Sequence, residues 1–348
     1  MMIRPSPHHW FRQTRSRFTS LRTYATYRRS NNNELPPYVK YGIIIPMTGL
    51  TISSVYAYYS CLDYAPYTNR KRLICTNPQW EQETGHTQYQ ELLEQFQGDI
   101  LPTKHRASVT VKRVGSRIAA AAQNFSMQYG LTKDNNNATT TSPYTYTVVR
   151  STEANAFVIP GNHVFVLTGL FRYVHNEDDL ASVLGHEMAH NIARHAGERL
   201  SESILMTILS RLVLIFDPTG ILFSLFVPAQ QLLVALPHSR EHEVEADKIG
   251  IVLASEACYD PRSAKIVFSR MKEDGDKKSS VSPPEFISTH PGYDTRLSYF
   301  DKWMPDALER YNRDGGNKCR AIREEMKRAR KIAASMHNNN TVTERRSR

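Results

Sequence analysis

The chain has 348 residues, 40% hydrophobic and 22% charged, with a net charge of +10, enough for one large domain or two small ones. Its four cysteines lack paired C-x-x-C spacing, which excludes a cysteine-based zinc or redox motif. The positive charge belongs to the ends: residues 1–33 and 318–348 carry +7 each and the remainder −4, so no nucleic-acid-binding surface is indicated for the body.

Residues 1–33 hold seven Arg, no Lys and no acid among Ser, Thr and aromatics, the composition of a mitochondrial presequence. Residues 34–68 are expected to form a transmembrane anchor and its flanks. Positions 41–62 are uncharged and contain Ile43, Ile44, Ile45, Leu50, Ile52 and Val55, and at 1.5 Å per residue they cover the roughly 30 Å of a bilayer core. Tyr41, Tyr56, Tyr58, Tyr59 and Tyr64 cluster towards the ends, as interfacial aromatics do. Pro46 and Gly49 weaken the pattern, with a buried or interfacial helix as the alternative. The arginine-rich side would stay in the matrix, placing everything after Asp63 in the intermembrane space, single-pass in the inner membrane. Cys61, Cys75, Cys258 and Cys319 are read as free thiols, with a Cys258–Cys319 bond the alternative if the body faces that compartment.

A polar connector over 69–85, with the basic cluster Arg70-Lys71-Arg72, should lead to helices over 88–97 and 107–129. The second carries Val111, Val114, Ile118, Ala121, Ala122 and Phe125 at helical spacing, a core-packing stripe. Residues 134–142 form a low-complexity loop. The period then changes: 144–150, 156–159 and 163–167 read as strands, with a turn at Pro160-Gly161-Asn162. A small antiparallel sheet is expected, whose edge could hold an extended peptide or be purely structural.

His186-Glu187-Met188-Ala189-His190 is a His-Glu-x-x-His pattern. Two imidazoles four residues apart on a helix differ by about 40° of rotation, so both can reach one metal ion. Glu187 projects beside them, placed to take a proton from water whose pKa a zinc ion lowers to about 7. Asn176 is the expected cap, with Glu177, Asp178 and Asp179 in the first turn, and the helix should end near Gly197. Residues 199–236 are strongly apolar, broken at Asp217-Pro218-Thr219-Gly220. Pro228, Gln230 and Gln231 oppose a full span, so a helical hairpin packed on the domain is expected over membrane insertion.

Such a centre needs a third protein ligand. Ala193 and Ala196 stand where the metzincin pattern has Gly and His, which excludes that class. His195, about 140° round the helix from His190, reads as a surface or second-shell histidine. The acid-rich run Ser239–Gly250 opens another helix on which Glu243, Asp247, Gly250 and Ala254 share a face. Its small residues would allow close approach to the first helix, but helical phase alone does not choose a ligand.

These blocks together resemble the HtpX and CAAX prenyl protease group of zinc endopeptidases, and within it the OMA-type mitochondrial metalloendopeptidases. The resemblance rests on His186 to His190, Glu243-Val244-Glu245-Ala246-Asp247, Asn155-Ala156-Phe157 before Pro160-Gly161, and Thr289-His290-Pro291 with Arg296. It covers roughly 100–310, and departs from the usual Pro-Gly-Gly at Asn162, where only the turn should change. The resemblance implies one Zn2+ per subunit held by His186, His190 and Glu243, with Glu187 as general base. Asp247, and Arg240 near it, would orient ligands, while His290, Arg296 and Asn155 would stabilise the oxyanion.

The expected architecture is a mainly helical α+β, zincin-like metallopeptidase domain over 69–317, preceded by a transmembrane helix and followed by a basic tail over 318–348. The tail should be solvated, with contact to anionic membrane lipid as the alternative. Inner-membrane protein substrates and self-association are further implications of the resemblance. A non-proteolytic zinc-stabilised scaffold and a CAAX-type prenyl protease in another membrane are the competing readings.

Overall fold

The computed structural model describes residues 37–65, 67–129, 142–217, 219–230, 236–278, 290, 293–313, 317, 319–325 and 327–328. The arginine-rich segment 1–33, nearly all of the 134–142 loop, Thr289, Pro291 and the tail from 329 lie outside these residues. The chain divides into two units, Met1–Tyr59 and Ser60–Arg348.

The first unit contains helix α1 (Pro37–Ser60), where a transmembrane span was expected. Among the described residues no helix is long and apolar enough to cross a membrane. The Ser, Thr and Tyr residues that follow Pro46 dilute the apolar run. Ile52, Val55, Tyr56 and Tyr59 are exposed.

In the second unit Cys61–Cys75 and Cys258–Cys319 are disulfides, which corrects the expectation of four free thiols. The first closes the antiparallel pair β1 (Leu62–Tyr64) and β2 (Lys71–Leu73). The expected polar connector is therefore partly strand. Of its basic cluster Lys71 is exposed but Arg72 turns inward, pairing with Asp63 at 2.8 Å and donating to the carbonyl of Ala193. Helix α2 (Pro78–Gln95) begins ten residues before the expected position, because Asn77 accepts a hydrogen bond from the Gln79 amide and Pro78 fits the first turn. Helix α3 (Arg106–Gln128) buries the predicted stripe.

Strands β3 (Thr145–Val149), β4 (Ala156–Ile159) and β5 (His163–Leu167) form a sheet in the order β3-β5-β4. Only β4–β5 is antiparallel; β3–β5 is parallel, so the sheet is mixed rather than antiparallel. Residues 150–155 carry the chain past the central position to the far edge, and the turn at Gly161 and Asn162, both at positive φ, returns it to the middle. Residues 99–101 bond to β3 along its outer edge, whereas the outer edge of β4 has no strand partner among the described residues.

Helix α4 (Glu177–Ile192) lies at the centre and nearly every residue in it is buried. Asn176 accepts from the Asp179 amide, as expected. The helix ends at Ile192, short of the expected Gly197, because Arg194 takes a left-handed conformation at φ 55° before α5 (His195–Phe216). Helices α5 and α6 (Ile221–Gln230) form the apolar hairpin. It is not packed on the body along its length: His195, Glu198 and Ser201 are buried, but Ile208, Leu212, Phe216, Ile221 and Leu225 are exposed. Helices α7 (Leu236–Glu256), α8 (Arg262–Lys278) and α9 (Tyr293–Tyr311) complete the body.

The closest helix contact is between α4 and α7. A Cβ added to Gly185 would lie 2.9 Å from the Gly250 carbonyl oxygen, and one added to Gly250 would lie 2.8 Å from the His186 amide nitrogen. Only hydrogen fits at either position. Gly250→Ala should therefore cost about 1–3 kcal/mol through overpacking, read as a lower denaturation midpoint; an unchanged midpoint would mean that the two helices part freely.

Candidate metal centre

The α4–α7 contact brings His186 and His190 to face Glu243, while His290 and α9 close the group. One donor atom from each of these four residues lies within 4.8 Å of the others, and all four are buried. His186 Nε2 is 3.1 Å from His190 Nε2, and Glu243 places Oε2 3.4 Å from the former and Oε1 3.4 Å from the latter. These nitrogens and carboxylate oxygens converge on one buried point, where a cation would be shared among them. Ligand atoms about 2.0–2.1 Å from a tetrahedral zinc stand roughly 3.3 Å apart, so these three side chains fit such an ion.

The surrounding charges organise the donors. Asp247 Oδ1 lies 2.9 Å from His186 Nδ1, which leaves His186 Nε2 as the inward-facing nitrogen. Burial alone would drive protons off His186, but Asp247 and Glu243 outweigh it and raise its pKa to about 9; a bound cation would take the place of that proton. His190 is held well below the usual range, chiefly by burial. Burial opposes ionisation of Glu243 and Asp247, yet His290 and His190 hold Glu243 low and Arg296 holds Asp247 low. Glu187 is different: burial raises its pKa, and Oε1 has no hydrogen-bond partner among the described residues, 3.4 Å from His290 Nε2. A buried, proton-seeking carboxylate next to a metal position is what a general base requires.

His290 stands closer to the ligands than an outlying oxyanion donor would, with Nδ1 3.2 Å from His186 Nε2 and 3.0 Å from Glu243 Oε2. Arg296 is placed differently from its expected oxyanion role. Its guanidinium forks onto Asp247 at 2.6 and 2.8 Å and lies 2.9 Å from Glu243, with one donor to the His290 carbonyl. Its donors are engaged by carboxylates, which makes it their counter-charge. Asn155 is buried beside β4, and its side-chain oxygen has no hydrogen-bond partner among the described residues. Arg240 is exposed and is not brought to the cluster. Asn162 does more than shape a turn, since its Oδ1 accepts from Asn191 of the metal helix at 2.6 Å.

His195 is fully buried and reaches His190 Nδ1 at 2.8 Å. The 140° phase argument fails because α4 breaks before it. Glu245, Glu198, His242 and Arg70 lie behind His195. For His242 and Glu245 the only signal in the sequence is an unusual density of charge in Ser239–Gly250, which reads equally as a solvated helix start; nothing in the sequence points to Glu198 or Arg70.

A buried two-histidine, one-glutamate donor set with an adjoining free carboxylate, carried on two closely crossed helices, defines a metallopeptidase site. In agreement, residues 110–304 match Peptidase family M48, more than half of the sequence, and the chain belongs to that family. It is similar to the mitochondrial metalloendopeptidase OMA1 of Schizosaccharomyces pombe, 34% identical over 72% of this chain and 68% of the relative. The Saccharomyces cerevisiae protein of that name is 32% identical over 73% and 72%, and the human one 28% identical over 78% and 51%.

Arg296 offers a direct test of the charge arrangement. Arg296→Leu leaves two buried carboxylates without their cation and should cost about 3–5 kcal/mol in denaturant unfolding. Asp247 has a depressed pKa, so its contribution is present at neutral pH and fades as pH falls through the carboxylate range. Without Arg296, burial pushes the Asp247 pKa up instead, so the sign reverses and the variant should regain stability as pH falls through the carboxylate range.

Proposed function

We propose that this chain is a mitochondrial zinc metalloendopeptidase that cleaves protein substrates at the inner membrane, with one zinc ion per subunit. The single observation that carries the chemistry is the buried donor triangle His186–His190–Glu243 with Glu187 beside it. The mitochondrial setting is supported by the similar proteins named above and by the arginine-rich, acid-free residues 1–33.

When bound, zinc would polarise water and the substrate carbonyl. Glu187 accepts the proton from the attacking water and passes it to the leaving amine. Three protein ligands with a fourth position open are what hydrolysis needs, so His290 is read as the oxyanion donor rather than a permanent ligand. The outer edge of β4 offers an extended peptide unpaired backbone groups, and Asn155 at its start supplies a buried acceptor.

Membrane contact is supported by the exposed apolar residues of α1 and of the α5–α6 hairpin, which a lipid surface would cover. The family resemblance further implies stress-linked cleavage of inner-membrane proteins and self-association.

Glu187→Gln should leave zinc binding intact while cleavage of a membrane-protein substrate falls by about three orders of magnitude or more; undiminished cleavage would end this reading, and biological function kept without any cleavage would favour the scaffold. Deleting residues 1–33 should abolish mitochondrial import of a fluorescent fusion. Import that persists, or residence in another membrane, would favour the CAAX-type alternative.

A further inference from the structure

The two ligand histidines are held differently. His186 has a carboxylate directly behind its outer nitrogen, Asp247, which Arg296 clamps. Behind His190 the corresponding place is filled by another imidazole. His195 Nδ1 is 2.8 Å from His190 Nδ1, and His195 Nε2 is 3.0 Å from Glu245 Oε2. Arg70 then bridges Glu245 at 2.8 Å and Glu198 at 2.6 Å, and Thr68 donates to Glu245. The ring of His195 also stacks on His242, 4.4 Å between centroids.

The proton positions along this chain follow from its two ends. For His190 to present Nε2 as a lone pair, its hydrogen must be on Nδ1. That hydrogen can only be donated to an acceptor, so His195 Nδ1 is unprotonated. The hydrogen of His195 is then on Nε2, where it is donated to Glu245, an acceptor by charge. One arrangement satisfies every link. We propose that His195 is a positioning residue of the metal centre, relaying the orienting effect of Glu245 and Arg70 to His190 so that Nε2 faces the ion. This inference rests on the metal-centre reading of His186, His190 and Glu243.

The local fold is built for this contact. On an unbroken helix His195 would point about 140° away from His190; the left-handed Arg194 reverses the chain and drops His195 onto His190 Nδ1. A non-glycine residue there costs about 1–2 kcal/mol. Arg194 is fixed by Glu81 at 2.7 Å and by the Thr76 carbonyl at 2.9 Å. Packing alone does not call for a buried imidazole with both nitrogens engaged, since an apolar ring would fill the same space.

The test is zinc affinity of the full-length chain, measured by competition with a fluorescent chelator, together with the visible spectrum of the cobalt-substituted protein and thermal unfolding of the metal-free forms. His195→Phe keeps the ring volume and removes both polar links, and should weaken zinc binding 10- to 100-fold and shift the cobalt bands. His195→Gln can accept from His190 and donate to Glu245, and should restore both readouts towards wild type. Wild-type affinity and spectrum in His195→Phe would overturn the proposal. So would a His195→Gln protein that is as impaired as His195→Phe and equally destabilised without metal, because packing would then account for both. If His195→Phe does not fold, Glu245→Gln decides: weaker zinc binding supports the relay and unchanged binding overturns it. Failure of the underlying reading looks different, with wild type binding no zinc or His186→Ala binding it as tightly as wild type.

Discussion

The distance between α4 and α7 governs the rest of the molecule. Neither helix holds all the candidate donors: α4 carries two imidazoles and Glu187, and α7 carries Glu243 and the carboxylate behind His186. The four candidate donors come together where Gly185 and Gly250 let the backbones meet with no side chain between them. At an ordinary helix separation of 8–10 Å, Glu243 would need a longer side chain to share an ion with both histidines.

Bringing so many ionisable groups out of water is expensive unless they are paired. The body answers with two arginines on opposite sides of the ligands. Arg296 from α9 neutralises Asp247 and Glu243, and Arg70 from the segment before β2 neutralises Glu245 and Glu198. Glu187 alone has no cation of that kind at hydrogen-bond distance. Its difference from its neighbours is thus produced by what is withheld from it, and the same burial that depresses the affinity of His190 for a proton raises that of Glu187.

What could be read from the chain was what local period and spacing encode: the two-histidine turn, the Asn176 cap, the buried stripe of α3, and the shared face of Glu243, Asp247 and Gly250. The start of α2 was equally legible at Asn77-Pro78 and was missed because a charged stretch was read as connector. Other features depend on partners far away in sequence. Parallel pairing of β3 with β5 is decided by where residues 150–155 send the chain, which no strand pattern records. Arg70 and Arg72 are ordinary surface residues until Glu198, Glu245 and the Ala193 carbonyl are folded next to them. For His195 the surface alternative fails and the one behind the ligands holds, because the angular rule was applied across a helix break that Arg194, as a non-glycine residue, does not advertise. The expected membrane span rests on length and lack of charge, and the polarity of the side chains leaves no helix among the described residues apolar enough to cross a membrane.

The Cys258–Cys319 bond also sets the reach of the segment that finishes the site. His290 and Arg296 both lie within the stretch it encloses, and the two cysteines are 61 residues apart. The loop leaves from just beyond α7 and returns to the same point, so its contribution to the centre is that of a tethered ligand. In the unfolded chain the tether removes about 4 kcal/mol worth of conformational freedom. After any local opening, His290 and Arg296 search a volume limited by the loop rather than by the whole chain, and their effective concentration at the α4–α7 contact stays high.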